Sequence, residues 1–509
     1  MLRRDFGNKA GFIMKQWTGL GTGALCALLL GSTALHAEMT AEQVWTGMTD
    51  YYSSLGQKVT TGSESREGDT LVIKDAVFAS SVPEGEFAMT LSEVRLKELG
   101  DGRVEMTFAE VIPFVTKTRP QGEDPVDMEM SVKQTGLAMI ASGTPEDTAY
   151  EFTAPQMAIA IDNLMVKGAE VPLVAKVDLT GSHGGYRMVT AGDRQMTSDF
   201  GADKVDFQVS AKDPEGTGDF AISGSFTGLS GTSEATIPAN VDMTDMNAAM
   251  NAGLAMKGEF GATGGGYIMD FNDGTQTAHA QSTGQGGKAH FKLAKDGLAY
   301  GGEAAPMDLS MQMSSFPLPI DVKLGGQVFD LMMPIAKGDG PQPYSLILKI
   351  ADLEVSEALW GLFDPQAQLP RDPATLILDV GGDATMKVDM FDPKAAEAMA
   401  GTPPGDVNSL NLRELKLSAV GAELTGTGAM TFDNSAGTPK PVGTVDLQLV
   451  GGNALIDKLV AMGLIPADQA AGARMMMGLF AVPTGEDTLT SKIELKEDGH
   501  VFANGQQIQ

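Results

Sequence analysis

A single cysteine, Cys26, is all the thiol that 509 residues contain. It falls in a segment read below as a leader, so the mature chain has none. That excludes a structural disulfide, a thiolate metal site and a cysteine nucleophile. Positive charge is scarce as well: 36 Lys and Arg stand against 66 Asp and Glu, a net charge of −30. Acidity on that scale repels nucleic acid and anionic lipid head groups, so no DNA or RNA partner is expected. Aromatic residues make up 6% of the chain, and long apolar runs are absent beyond the first 37 residues. With 42% hydrophobic and 20% charged residues, the remainder is still apolar enough to fold around a large core.

Motifs for chemistry are missing too. The four histidines beyond the leader, His183, His279, His290 and His500, lie more than five residues from one another, so no helix face pairs two of them as zinc ligands. No His-Glu-x-x-His stretch occurs. Neither Gly181-Ser182-His183-Gly184 nor Gly224-Ser225-Phe226-Thr227-Gly228 has the spacing of a nucleophile elbow. Gly284-Gln285-Gly286-Gly287-Lys288 ends in Ala289 where a phosphate loop needs a hydroxyl, and reads as a flexible loop. Asp270-Phe271-Asn272-Asp273-Gly274 has its glycine one residue early for a calcium loop, and reads as a tight turn. No catalytic, cofactor-binding or metal-ligating residue is therefore assigned, and no cofactor is expected.

Residues 1–37 read as a cleaved signal peptide. Arg3, Arg4, Lys9 and Lys15 precede an uncharged run from Trp17 to Leu35, strongly apolar only over Ala24 to Leu30, and Ala37 offers a small residue at the cut. Arg3-Arg4 lacks a preceding Ser or Thr and lies far from the apolar run, and Leu25-Cys26 lacks the small residue of a lipoprotein signal. Met14 heads a complete leader of its own. Loss of four basic residues and one acidic residue takes the net charge from −30 to −33. The expected location is periplasmic, with extracellular or membrane-associated placement as alternatives.

Beyond the leader the dominant pattern is alternation at period two, the signature of half-buried strands. Thr40 and Gln43 form a capping box for a helix whose Val44, Met48, Tyr51 and Leu55 share a face, with Gly56 ending it. Val94 and Leu96 lead into a hairpin at Asp101-Gly102, and Val104, Met106 and Phe108 lead out. Phe87, Met89 and Leu91 alternate in the opposite phase, which predicts a bulge near Ser92-Glu93. A Gly, Ser and Thr-rich stretch at Thr227 to Ala239 reads as a break. The organisation expected is a first unit over 38–230 and a second over 240–509. In the second, Met243, Met246 and Met250 mark a helix within Asp242 to Asn251, the chain loosens over Asn272 to Lys288, and Pro317 and Pro319 mark an edge strand. A short helix over Ser356 to Phe363 precedes a Pro-rich loop.

The last hundred residues carry strands at Leu415 to Val420, Leu424 to Phe432 and Thr444 to Val450. A helix capped by Asn453 with a Leu455, Ile456, Leu459, Val460 stripe follows, then a second helix from Pro466 and a hairpin at Asp498-Gly499. The fold class is mainly β with a few inserted helices, a β-rich α+β arrangement of long curved antiparallel sheets, read as two related units. Together with Leu369-Pro370-Arg371-Asp372-Pro373-Ala374-Thr375-Leu376 and Thr40-Ala41-Glu42-Gln43-Val44-Trp45, this C-terminal part resembles the DUF2125 family of alphaproteobacterial envelope proteins, over most of the mature chain. The resemblance implies an exported β-rich protein and supplies no site. In its strand-helix-hairpin order the chain is also similar, at the level of fold, to AsmA-like and YdgA-like envelope proteins.

Methionine is abundant, 31 residues, many on alternating faces. Such faces form either an adaptable core or a groove for acyl chains, and the spacing does not separate the two. The functional expectation is an exported, non-catalytic envelope protein that binds a lipid or other hydrophobic ligand or assists envelope assembly, with other envelope proteins as partners. The alternatives are an extracytoplasmic hydrolase with a site assembled from distant residues, and a purely structural surface module.

Overall fold

A computed structural model describes residues 39–509 except 55, 83–84, 120–121, 123, 214–215, 240, 242, 244, 393, 396–402 and 436–437. The leader, its cut after Ala37, the mature start at Glu38, Cys26 and Leu55 lie outside the described residues. Strand makes up 64% and helix 11% of the structure, so the β-rich class holds. Contacts divide the chain into two compact units. Unit 1 runs to Glu170 and adds Val177–Lys204 and Leu229–Glu234; unit 2 comprises Val171–Lys176, Val205–Gly228 and Ala235–Gln509.

Unit 1 begins with helix α1 (Ala41–Ser54). Its capping box forms: Thr40 N donates to Gln43 Oε1 at 3.0 Å, and Gln43 N donates to Thr40 Oγ1 at 3.2 Å. The helix buries Ala41, Val44 and Trp45, the last edge-on to Phe78 with centroids 6.2 Å apart, while Tyr52 meets the same ring at 4.8 Å. Beneath it, Thr70–Val82 pairs with Gly85–Glu98, which pairs with Val104–Phe108 through Val94 to Phe108 and Leu96 to Met106. The cross-strand row Leu71, Leu96, Met106, Met139, Phe152 shows how completely this face is closed. Four of its five members are buried, and Met139 packs against the same core. Burial pushes the neighbouring Tyr150 hydroxyl up to about 12.

The phase change in Gly85–Glu98 falls where expected, between Leu91 and Val94, and its cause lies on the neighbouring strand. Asp75 adopts a left-handed conformation at φ 51, and Lys74 O accepts from Gly62 N at 3.0 Å, where the chain on that edge breaks into two short strands. A side chain at position 62 would put its Cβ 3.0 Å from that of Asp75, a tight approach that a glycine avoids. The same device recurs in unit 2. Asp352 has φ 50, Ala351 O accepts from Gly325 N at 2.9 Å, and a Cβ at 325 would lie 2.7 Å from that of Asp352. At each kink one long strand faces two half-length strands laid end to end, which lets the sheet bend without orphaning backbone groups.

From Thr227 onward the structure differs from the sequence reading in four places. Thr227 to Ile237 is no break but the end of a long strand, Asp219–Ile237. Its Gly, Ser and Thr content fits a strand because register and ladder hydrogen bonds, not bulk, hold it. Asn272 to Lys288 is likewise a turn and two strands, Thr277–Gly284 and Gly287–Ala294, and the supposed flexible loop shrinks to Gln285 and Gly286. Helix α2 (Met246–Ala252) is capped by Asp245, whose side chain accepts from Ala248 N, and ends at Gly253. Helix α3 (Glu357–Trp360) is a single turn.

The fourth correction concerns the C-terminal helices, α4 (Gly452–Ala461) and α5 (Ala467–Phe480). Asn453 does not cap α4. Gly451, left-handed at φ 75, precedes the helix, and the carboxylate of Asp487 accepts from Asn453 N at 3.0 Å and Ala454 N at 2.9 Å. A distant residue thus supplies what the sequence reading sought locally. The edge reading of Phe316–Leu324 holds: one side pairs with Met307–Met313 along its length, the other only through Val322 and Lys323. Pro317 and Pro319 remove donors from this strand and blunt it against further pairing.

Candidate functional site

Register builds one long face in unit 2. Phe291, Tyr300, Leu331, Leu346, Val380, Leu412, Gly428, Val445, Ile493 and Ala503 stand opposite one another in sequence across ten strands. A parallel row runs Phe329, Leu348, Leu378, Leu415, Gly426, Leu447. In the first row only Ala503 is buried; Tyr300 is exposed and the others are half-buried. In the second, Phe329 is 38% exposed. Side chains of this size alternating inward over so many strands normally close into a core, so their exposure needs a physical reason.

The reason is a shortage of cover. Ten strands at about 4.8 Å spacing extend roughly 43 Å. Helix α4, of ten residues, measures about 15 Å. It packs on the strand Ala422–Asp433, and its Leu455, Ile456, Leu459 and Val460 are half-buried. Helix α2 closes the end at Phe291 and Tyr300, where Ala249, Met250, Leu254 and Ile335 are buried against Leu293 and Leu298. Between the two helices the leucine rows around Leu346, Leu348, Leu378 and Leu415 stay half-open.

The methionines divide the same way. Met89 and Met106 are buried in the core of unit 1, whereas Met307, Met311 and Met313 of unit 2 are half-buried on an alternating strand whose Asp308, Ser310 and Gln312 face outward. On α5, Met475 is 72% exposed. Spacing in sequence is identical in the two settings, which is why it did not separate them.

The histidines do not converge. His183 Nδ1 lies 2.9 Å from Gly181 O, His279 Nδ1 lies 2.7 Å from Asp270 Oδ1, His290 Nε2 lies 3.1 Å from Asp330 Oδ2, and His500 Nδ1 lies 2.8 Å from Asp498 Oδ2. His183 bonds within its own strand, His279 across neighbouring strands, His290 over Gly301 of the intervening strand to Asp330, and His500 within a turn. Ser182 is buried, its hydroxyl without a partner, and Ser225 lies within the strand Asp219–Ile237. Asp273 Oδ1 accepts from Thr275 N and Gln276 N, so Asp270 to Gly274 ends in a tight side-chain-locked turn. Among the described residues no group of three or more His, Cys, Asp or Glu is placed to hold a metal ion, and no helix is long and apolar enough to cross a membrane.

Comparison with known families finds a similarity in the second part of the chain. Residues 271–505 match a family model described as an uncharacterized protein conserved in bacteria, DUF2125. The match takes in Leu369 to Leu376 and most of the open face, and stops short of Thr40 to Trp45, so it is narrower than the resemblance read from the sequence. No curated protein and no solved structure matches the chain.

Proposed function

We propose that this is an exported, non-catalytic protein that holds a hydrophobic ligand, an acyl chain or similar apolar group, against the half-open face of unit 2. The observation that carries the reading is the ten-strand apolar row in which only Ala503 is buried. Leaving that many leucine and aromatic side chains half in water forgoes about 25 cal/mol for each Å² not buried. An apolar ligand recovers that free energy, and the half-covered methionines beside the face adapt to ligands of varied shape. Export rests on the basic start and short apolar run of the first 37 residues. A periplasmic setting, among other envelope components, is where such a ligand would be met.

Organic extraction of the purified protein followed by lipid mass spectrometry tests this directly. Stoichiometric recovery of an acyl-containing species is expected, and Nile red should bind the stripped protein with a blue-shifted emission. Binding should weaken severalfold in a Leu346→Asp, Leu348→Asp chain that still melts cooperatively. Absence of both co-purifying lipid and saturable dye binding would overturn the proposal.

A further inference from the structure

Helix α5 turns its apolar side to solvent. Met475 is 72% exposed, Met476 49% and Leu479 48%, and their spacing puts all three on one face of the helix. The opposite face carries Ala470, which is buried, and Met477, which is half-buried. Leu464 and Val482, beyond the two ends of the helix, are exposed as well. A helix on the surface of a folded chain ordinarily lays its apolar stripe on the core. In α5 the covered side is small and the bulky side is bare.

This orientation is fixed by specific bonds. Arg474 Nη2 donates to Asp457 Oδ1 of α4 at 2.6 Å, and in the connection between the helices Leu464 N donates to Leu459 O at 2.9 Å. At the far end Phe480 O accepts from Ser491 Oγ and from Asn504 Nδ2. Rolling the stripe toward α4 would break these contacts, so the bare face needs an occupant from outside the chain.

Charge and area decide which occupant fits. From Ala461 to Gly485 the only charged residues are Asp468 and Arg474, of opposite sign, in a chain whose net charge is −30. The patch is therefore an uncharged island on an acidic protein, unsuited to a basic partner and to anionic head groups. Its five bulky side chains leave roughly 500 Å² of apolar surface in water, well short of the ~800 Å² that each partner of a stable protein interface buries. A second copy of the same acidic chain would also bring like charge around that small contact. A neutral bilayer asks for less: a helix lying in its plane needs only one apolar stripe sunk below the head groups. Methionine, unbranched and flexible, suits the irregular packing of acyl chains.

We propose that α5 docks flat on the surface of a zwitterionic lipid bilayer through Met475, Met476 and Leu479. Such docking needs no ligand on the open face of unit 2. The test is flotation of the chain from Glu38, which lacks the apolar leader, with phosphatidylcholine vesicles. Three chains are compared: the wild type, Met475→Glu with Leu479→Glu, and Leu346→Asp with Leu348→Asp, which adds the same two negative charges to the open face. The floated fraction should fall about fivefold or more in the α5 variant and match the wild type in the open-face variant. All three should melt cooperatively, since the α5 positions are exposed. A Leu479→Trp chain in a Trp45→Phe, Trp360→Phe background should show blue-shifted emission on vesicles and be quenched by brominated lipid. Failure of the wild type to float, or equal flotation of the α5 variant, would overturn the proposal. Flotation lost only in the open-face variant would assign membrane contact to that face instead. A wild-type dimer in analytical ultracentrifugation, dissociated by Met475→Glu with Leu479→Glu and indifferent to vesicles, would make a second copy the occupant and equally overturn it.

Discussion

The row Leu71, Leu96, Met106, Met139, Phe152 in unit 1 and the row Phe291 to Ala503 in unit 2 are written in the same pattern, yet one is closed and the other is not. Helix length against sheet width accounts for the difference. Five strands span roughly 19 Å, and the 14-residue α1, about 21 Å long, packs on the first two of them, with Trp45 and Tyr52 reaching Phe78 and the rest of the row joining the same buried cluster. Ten strands span more than twice that distance, and α2 packs only at one end of them and α4 only on the seventh. A sheet widened without a longer covering layer becomes a surface with work left to do, and unit 2 is such a sheet.

Truncations should expose the contrast most strongly. Phe78 is fully buried between Trp45 and Tyr52, so Phe78→Ala should cost about 3–5 kcal/mol, through lost transfer free energy and a residual cavity. Leu348→Ala, on the open face, should cost about 1 to 2 kcal/mol, because that side chain is only partly buried. Urea midpoints decide it, and the tryptophans make the assignment clean. Beyond residue 37 the chain has only Trp45 in unit 1 and Trp360 in unit 2, so a Trp360→Phe background of the chain from Glu38 reports unit 1 alone. Equal costs at the two positions would mean that the face of unit 2 is a core after all.

Helix α4 gives an intermediate case. Its stripe is half-buried, so Leu459→Ala should cost about 1–2 kcal/mol, less than a core leucine and more than a free surface one. The same change should weaken Nile red binding if α4 borders the ligand. A cost in the range of a full core truncation, with dye binding untouched, would place Leu459 in a closed core and move the border of the face elsewhere.

Much of this architecture was legible because the rules that produce it are local. The capping box at Thr40 and Gln43 and the buried Val94, Leu96, Val104 and Met106 need only spacing to be found. The methionines at 246 and 250 locate α2 in the same way. Three things needed the third dimension. Alternation reports which way a side chain points and nothing about what lies above it, so core and open face read alike. Thr227 to Ile237 holds its place through ladder partners rather than bulk, and so resembled a linker. Helix α5 turns Met475, Met476 and Leu479 outward because its Ala470 side is the one covered, and spacing does not say which face of a helix the protein covers.

The caps of α1 and α4 sharpen the comparison at the smallest scale. In α1 a local, uncharged pair, Thr40 and Gln43, is joined by the carboxylate of Glu98, which accepts from Ala41 N at 3.0 Å; in α4 the cap is the carboxylate of Asp487 alone, supplied from beyond α5. Thr40→Ala and Asp487→Asn should each cost about 1 kcal/mol, but their pH dependence should differ. Desolvation pushes the Asp487 carboxyl up, yet the amides of Ala454 and Asn453 outweigh it and hold the group below its ordinary value. A carboxyl depressed in the folded state stabilises fully above its unfolded pKa of about 4, and that contribution disappears as pH falls toward the folded value. Wild-type stability measured by Trp360 fluorescence in a Trp45→Phe background should therefore drop from pH 5 to pH 3 by more than that of Asp487→Asn. Thr40→Ala, followed through Trp45, should shift its curve without changing its slope. Parallel pH curves for wild type and Asp487→Asn would show that this carboxylate does not cap α4 in solution, and that the helix is held by its half-buried stripe alone.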